Sequence, residues 1–252
     1  KKAYAVTGDC KGGFPRAYLT CGFLSAYCFS FEKYREHMAY NSLQDFVQVL
    51  ERQGELRRIT YPVKAELEIT EIADRVMKDN GPALLFENVD GKQIPVLINA
   101  FGSHKRMALA LGVDDIEELA GEVQKLVQTK PPKSFMDKLH LVSELVKLAG
   151  IPPKIVSKGE CQQIIHRQPD LSILPVLTCW PGDAGPFITL PMVFSKDPGK
   201  GTRNVGLYRM QVFDSRTTGM HWQSMKGGRG HHYEAERREV PLEAAVVLGG
   251  DP

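Results

Sequence analysis

Cysteine is scarce, with five in 252 residues. The number is odd and no two stand in a C-x-x-C spacing, which excludes a closed disulfide framework and a zinc ribbon. An excess of one charge is also missing. The chain carries 32 Lys and Arg against 30 Asp and Glu, a formal net charge of +2. That is too even for a general nucleic-acid binder, although an anionic ligand needs only local charge. No internal period marks a repeat architecture. No apolar run reaches the ~20 residues that span a bilayer. What remains is ordinary for a globular protein: 42% hydrophobic and 25% charged residues. Such a chain can bury a core, so disorder does not describe the whole. The length allows one large domain or two small ones, at ~100–200 residues each.

Residues 1–37 differ from the rest. Cys10, Cys21 and Cys28 precede Met38, and only Cys161 and Cys179 follow it. Ala17 to Phe31 is uncharged and follows Lys1, Lys2, Lys11 and Arg16, the outline of a signal peptide. Thr20, Gly22, Ser25 and Ser30 interrupt that run. Residue 1 is Lys, whereas Met38-Ala39-Tyr40 precedes a well-capped helix and resembles a native start. The preferred reading, over a signal or a native extension, is that residues 1–37 are upstream sequence outside the fold. The other 252 − 37 = 215 residues then carry it, in a cytoplasmic protein.

From Ser42 the periodicity becomes legible. Leu43, Phe46, Val47 and Leu50 form one apolar helix face, with Ser42 as cap and Gly54 as stop. A second helix carries Leu67, Ile69, Ile72, Ala73, Val76 and Met77, and Gly81-Pro82 ends it. Ala83–Phe86 and Ile94–Ile98 read as strands around the turn signal Asp90-Gly91. Helices fit Lys105–Leu111, Asp114–Val127 and Met136–Leu148, with Pro131-Pro132 between the last two. Pro152-Pro153 marks a domain boundary, giving an α/β domain over 38–155 and a mainly β domain over 156–252. In the latter, strands fit Cys161–His166, Phe187–Phe194, Val205–Phe213, Met220–Gln223 and Ala244–Leu248, the spacing of a small barrel or sandwich.

The candidate chemistry lies in this second part. Asn204 and Arg209 sit among apolar neighbours in one predicted strand, five positions apart. Plain alternation puts them on opposite faces. A shared site would need a bulge or bend near Gly206; an edge strand with Arg209 in solvent fits equally well. Met220-His221-Trp222-Gln223 should return as the next strand of a hairpin. Then Lys226-Gly227-Gly228-Arg229-Gly230-His231-His232 offers glycines beside cations, where backbone N–H groups can approach an anion. Trp222 could stack on a flat ring. A phosphate-bearing aromatic cofactor fits this run, and so does a surface loop with a core tryptophan. His221, His231 and His232 lack tight metal-ligand spacing and read better as surface histidines. Cys179-Trp180-Pro181-Gly182-Asp183-Ala184-Gly185-Pro186 is a loop. With no basic neighbour for Cys179, a buried structural thiol fits better than a nucleophile.

Taken in order, these segments resemble the motifs of the UbiD family, reversible decarboxylases of aromatic and α,β-unsaturated acids. The motifs are Cys179–Asp183, Gly185–Pro191, Arg203–Gln211, Thr218–Gln223 and Leu248-Gly249-Gly250-Asp251-Pro252. Phe101-Gly102-Ser103 with Arg106–Val113 is similar to the family as well. The resemblance runs from about Ser42 to Pro252. It implies an α+β fold: an N-terminal α/β domain, then a split β-barrel related to flavin reductases. It implies prenylated FMN with Mn²⁺, often beside K⁺. By resemblance, Asn204 is a metal ligand, with His221 the better match for a second. Leu207, Tyr208 and Arg209, then His221, Trp222 and Gln223, then Lys226 and Gly227, match cofactor-binding runs. Arg209 also matches the catalytic arginine that orients the substrate carboxylate.

The resemblance further implies a small carboxylic acid substrate, such as a hydroxybenzoate in ubiquinone biosynthesis. It implies a flavin prenyltransferase as cofactor supplier, no nucleic-acid partner, and a homo-oligomer for the full-length enzyme. Two departures stand out. Some relatives carry His where this chain has Met225, and a thioether is a poor ligand for Mn²⁺. The chain also stops at Asp251-Pro252, near the middle of a typical member. The carboxylate metal ligand and the catalytic acids are expected beyond that point, so the barrel should be incomplete and this chain inactive alone. A flavin-binding split-barrel module and a flavin oxidoreductase are the alternative readings.

Overall fold

The structure, a computed structural model, describes residues 40, 42–117, 119–121, 124, 157 and 159–249. The extension 1–37, the helix expected over 136–148, both Pro-Pro breaks and the last three residues of the Leu248–Pro252 motif lie outside the described residues.

The first layer follows its apolar pattern closely. Helix α1 (Leu43–Arg52) starts where the Ser42 hydroxyl accepts from the Asp45 backbone N–H, and it buries Phe46, Val47 and Leu50. Gly54, at φ +70°, turns the chain into strand β1 (Leu56–Ile59). Helix α2 (Glu68–Lys78) buries Ile69 and Ala73. Strand β2 (Ala83–Phe86) is buried throughout, and the Asp90-Gly91 turn precedes strand β3 (Val96–Ile98). The sheet order is β1-β2-β3, with β1 parallel to β2 and β3 antiparallel. β1 escaped the sequence reading because Arg57 and Arg58 hide its period. Arg58 lies between Glu51 and Glu87 and bonds both. Helix α3 (His104–Leu111) is capped by Ser103, and Gly112 closes it in the left-handed conformation. Of the next expected helix, residues 116, 117, 119–121 and 124 are helical.

α3 also carries Arg106, only 2% exposed, whose Nη1 meets a Glu55 oxygen at 2.9 Å. Lys105 holds the other oxygen at 2.9 Å. These hydrogen bonds, Lys105's the stronger and burial opposing them, hold the Glu55 carboxyl below its ordinary value.

The second part docks onto this layer through residues 174–179. Leu177 belongs to the same apolar cluster as Ile59, Ile69 and Phe86. Thr178 exchanges backbone hydrogen bonds with Ala65 and Leu67, and Thr70 donates to the Cys179 carbonyl at 2.9 Å. Beyond it, two three-stranded antiparallel sheets form. One has the order β4 (Phe187–Ile188), β7 (Met210–Val212), β8 (Thr218–Met220). The other has the order β6 (Arg203–Leu207), β5 (Met192–Lys196), β9 (Ala244–Val247). Helix α4 (Gly227–Arg238) packs on β5 and β6.

Several expected strands are corrected. Phe187–Phe194 is not one strand: buried Pro191, which has no N–H to pair, separates β4 from β5. Val205–Phe213 likewise divides between sheets. Cys161–His166 forms no strand. The Gln162 side chain accepts from the Gly159 N–H at 2.9 Å, and the chain curls into a short 3₁₀ turn at Glu160–Gln162. The glycine-rich run after Lys226 is a helix start and not a surface loop.

Candidate functional site

β6 pairs with β5 without interruption from Arg203↔Lys196 through Gly206↔Val193 to Leu207↔Met192. The bulge expected at Gly206 is therefore absent. The break comes two residues later, where Tyr208 and Arg209 carry the chain out of one sheet and into the other. Gly206 has a different reason to be glycine. A Cβ there would lie 2.7 Å from the Tyr208 ring, which folds back over it. Regular alternation puts Asn204, Gly206 and Tyr208 on one face.

That face meets the start of α4. The Asn204 amide donates to the Tyr208 hydroxyl at 3.2 Å, and the Gly228 N–H donates to the same oxygen at 2.9 Å. A Cβ on Gly227 would stand 2.4 Å from Asn204 Oδ1, and one on Gly228 would meet Trp222 at 2.6 Å and the Tyr208 hydroxyl at 2.7 Å. Both glycines are thus forced by close approach, not by turn geometry. The Trp222 ring lies 4.9 Å from Tyr208 and 5.7 Å from His232, centroid to centroid. Lys226 heads α4 with no side-chain cap. Its ammonium donates to the Leu207 carbonyl at 3.1 Å and stands 5.3 Å from the centre of the Tyr208 ring.

α4 is anchored from below by a buried contact between Ser195 Oγ and His231 Nδ1 at 2.9 Å. His231 is therefore a packing residue and not the surface histidine expected. Farther along, Arg237 and Arg238 hydrogen-bond Glu234 and hold its carboxyl down to about 2.

The structure gathers Asn204, Tyr208, Trp222, Lys226 and Gly227, together with Gly228, into one constellation. The Arg209 side chain stands apart from it: its guanidinium is exposed, 5.1 Å from the centre of the Phe187 ring on β4. The Arg209 carbonyl accepts from the His221 backbone N–H at 3.0 Å, which extends the β7–β8 pairing by one step. His221 and Gln223 are exposed on either side of half-buried Trp222. Leu207 contributes its carbonyl to Lys226, while its side chain faces away from α4. Met225 is 95% exposed. Among the described residues no three His, Cys, Asp or Glu are placed to hold a metal ion. Cys179 is half-buried, and burial, then the Asp183 carboxylate, push its thiol up, which agrees with a structural role. Gly228 and Tyr208 were missed as partners; the signal available was the paired glycine after Lys226.

A helix start, a lysine and a glycine pressed against an amide oxygen suit a phosphate-bearing group. Comparison with known proteins gives the family. The model of the 3-octaprenyl-4-hydroxybenzoate carboxy-lyase N-terminal domain matches residues 47–124, and that of the Rift-related domain of the same enzyme matches residues 154–252. The chain belongs to the UbiD family of decarboxylases. An uncharacterized protein of Aquifex aeolicus is 44% identical over 216 residues, 84% of this chain and 44% of that protein. One of Archaeoglobus fulgidus is 45% identical over 216 residues, 85% of this chain and 44% of that protein. The chain thus spans less than half the length of these relatives.

Among solved structures, an evolved dimeric form of the UbiD-class enzyme HmfF from Pelotomaculum thermopropionicum, in complex with prFMN, is 29% identical with a TM-score of 0.65. The match covers 84% of this chain and 45% of that one. Vanillic acid decarboxylase of Sedimentibacter hydroxybenzoicus in closed form is 27% identical, with a TM-score of 0.68, over 84% of this chain and 44% of that one. No helix among the described residues is long and apolar enough to cross a membrane.

Proposed function

We propose that this chain supplies the cofactor cradle of a UbiD-type, non-oxidative, reversible decarboxylase of an aromatic or α,β-unsaturated carboxylic acid. The observation that carries this reading is the Tyr208 hydroxyl, which binds Asn204 and the α4 N-terminus to one point. Losing CO₂ leaves negative charge on carbon, and prenylated FMN supplies the electron sink for it. The residues here bind and orient. The start of α4 and the Lys226 ammonium would hold its phosphate. Asn204 Oδ1 is a hard oxygen donor suited to Mn²⁺ beside that phosphate, with K⁺ as a companion cation. Trp222 walls the cradle, and the carbonyl of Leu207 holds Lys226 in place. Arg209, exposed on the Phe187 side, orients the substrate carboxylate.

His221 is assigned as a second metal ligand on family grounds and Gln223 as a cofactor contact, both from the exposed positions beside Trp222. The two sheets of the second part are read as leaves of a split barrel over 156–252, following an α/β domain over 38–155. A flavin prenyltransferase would supply the cofactor. A hydroxybenzoate-type acid of ubiquinone biosynthesis is the substrate class in view, in a cytoplasmic homo-oligomer. A second reading, flavin binding without turnover by this chain, is favoured by one observation. Tyr208, which touches Asn204, and Phe187, which faces Arg209, carry no carboxylate that could protonate a product carbon.

Cofactor retention of two variants tests the roles. Asn204→Ala should lose cofactor first, whereas Arg209→Ala should keep it and lose substrate carboxylate binding. The reverse order would overturn these assignments.

A further inference from the structure

We infer, on the reading of the α4 start as the phosphate site, that His231 is a positioning residue of the cradle. Its bond to Ser195 fixes where the first turn of α4 stands against Asn204 and Tyr208. A helix usually sits on a sheet through an apolar stripe, and such contact is non-directional, so it does not by itself fix a position along the axis. α4 lacks such a stripe. Its buried residues are Gly228, His231 and Ala235, one face of the helix without a large apolar side chain. Beneath them, the buried positions of β5 are Val193 and Ser195. Directional contacts therefore locate the helix. Ser195, 4% exposed, and His231, 8% exposed, meet at 2.9 Å between Oγ and Nδ1. About one turn earlier, the Gly228 N–H donates to the Tyr208 hydroxyl.

The far end of α4 is braced by the β5–β6 turn. Asp197 Oδ1 accepts from the Gly199 and Lys200 N–H groups at 2.7 and 2.9 Å and shapes that turn. A Cβ on Gly199 would stand 2.7 Å from Glu234 Oε1 and 2.7 Å from Arg238 Nη2, so the turn presses on the last part of the helix. Between this brace and the cradle lies the Ser195–His231 bond. The cradle has no slack, since a Cβ on Gly227 would collide with Asn204 Oδ1. A helix rises ~1.5 Å per residue, so a slip of half a residue changes that gap by more than the distance range of a hydrogen bond. The Ser195 hydroxyl can bond Nδ1 whichever of the two holds the proton. What the anchor needs is a polar atom at that place, not a charge.

Four variants of the full chain separate the bond from the bulk. His231→Phe keeps a ring and removes the bond, whereas His231→Asn keeps a polar atom near the Nδ1 position and loses ring volume. Ser195→Ala removes the hydroxyl and Ser195→Thr keeps it. Fluorescence titrations compare FMN with riboflavin, which lacks the phosphate. The expected preference for FMN falls about tenfold, the scale of one hydrogen bond, in His231→Phe and Ser195→Ala. His231→Asn and Ser195→Thr should keep the preference, even where the Asn variant melts at a lower temperature. Amide hydrogen exchange at Gly228 should rise about tenfold in His231→Phe and stay at the parent rate in His231→Asn. A preference that follows the melting temperature across all four variants overturns the inference. So does Gly228 exchange equal in His231→Phe and the parent chain. A parent chain with no preference for FMN contradicts the phosphate reading instead, and Gly228 exchange still decides whether His231 sets the helix.

Discussion

The Asn204 amide donates to the Tyr208 hydroxyl at 3.2 Å, and this bond sets Oδ1 against Gly227. The same hydroxyl accepts from the buried Gly228 N–H. Tyr208→Phe removes one oxygen and strands two donors. An unsatisfied buried donor costs ~1–3 kcal/mol. The variant should lose stability on that scale in urea melts, and flavin retention should fall with it. Unchanged stability with unchanged retention would show that the hydroxyl organises nothing.

Gly228 offers a steric test. Its added Cβ would meet Trp222 at 2.6 Å and the Tyr208 hydroxyl at 2.7 Å, so one of the two rings must shift. Overpacking of this kind costs ~1–3 kcal/mol, so Gly228→Ala should destabilise on that scale even though alanine is the better helix former. A gain in urea midpoint would mean that Tyr208 and Trp222 yield freely.

In the first layer, Glu55→Ala strips buried Arg106 of its carboxylate. Removing one partner of a fully buried pair costs ~3–5 kcal/mol, and the 20% exposure of Glu55 puts this pair below that range. Because the folded Glu55 carboxyl titrates below its ordinary 4.5, the stabilisation is complete above that value and lost as pH falls through the lower folded one. Urea midpoints of the parent chain should therefore fall more steeply on acidification than those of Glu55→Gln. Parallel pH profiles would show that the pair contributes no such linkage.

By itself the chain should not decarboxylate cinnamate- or hydroxybenzoate-type acids when given prenylated FMN and Mn²⁺. Tyr208, bonded to Asn204, and Phe187, beside Arg209, carry no carboxyl group to protonate carbon, and loss of an acid–base group costs ~10²–10⁴-fold. Product formation followed by liquid chromatography, at rates typical of an intact decarboxylase, would refute this.

The first layer was legible because α1 and α2 bury one apolar stripe each, β2 is apolar throughout, and Ser42, Gly54 and Gly81-Pro82 punctuate them. β1 was not, since Arg57 and Arg58 erase the alternation, Arg58 serving Glu51 and Glu87. In the second part the apolar runs were found but their breaks were not. Local alternation continues across Leu190-Pro191 and Leu207-Tyr208, whereas the change of sheet there depends on partners distant in sequence. α4 was hidden because its first turn has glycines where the Tyr208 and Trp222 rings press in, a requirement of tertiary contact that overrides helix propensity. The site was legible as residue types: Asn204, Trp222, Lys226 and Gly227 do meet. Their junction, Tyr208, was readable only as a cofactor contact and not as the clamp it forms.

Titration of FMN fluorescence with the full chain tests the cofactor cradle most directly. Saturable one-to-one quenching is predicted, weakened about tenfold or more in Gly227→Val, equivalent to ~1.4 kcal/mol, and much less in Arg209→Ala. Absence of saturable binding, or equal binding by the parent chain and Gly227→Val, would contradict the assignment of the Asn204–Tyr208–Gly227 junction as the flavin site.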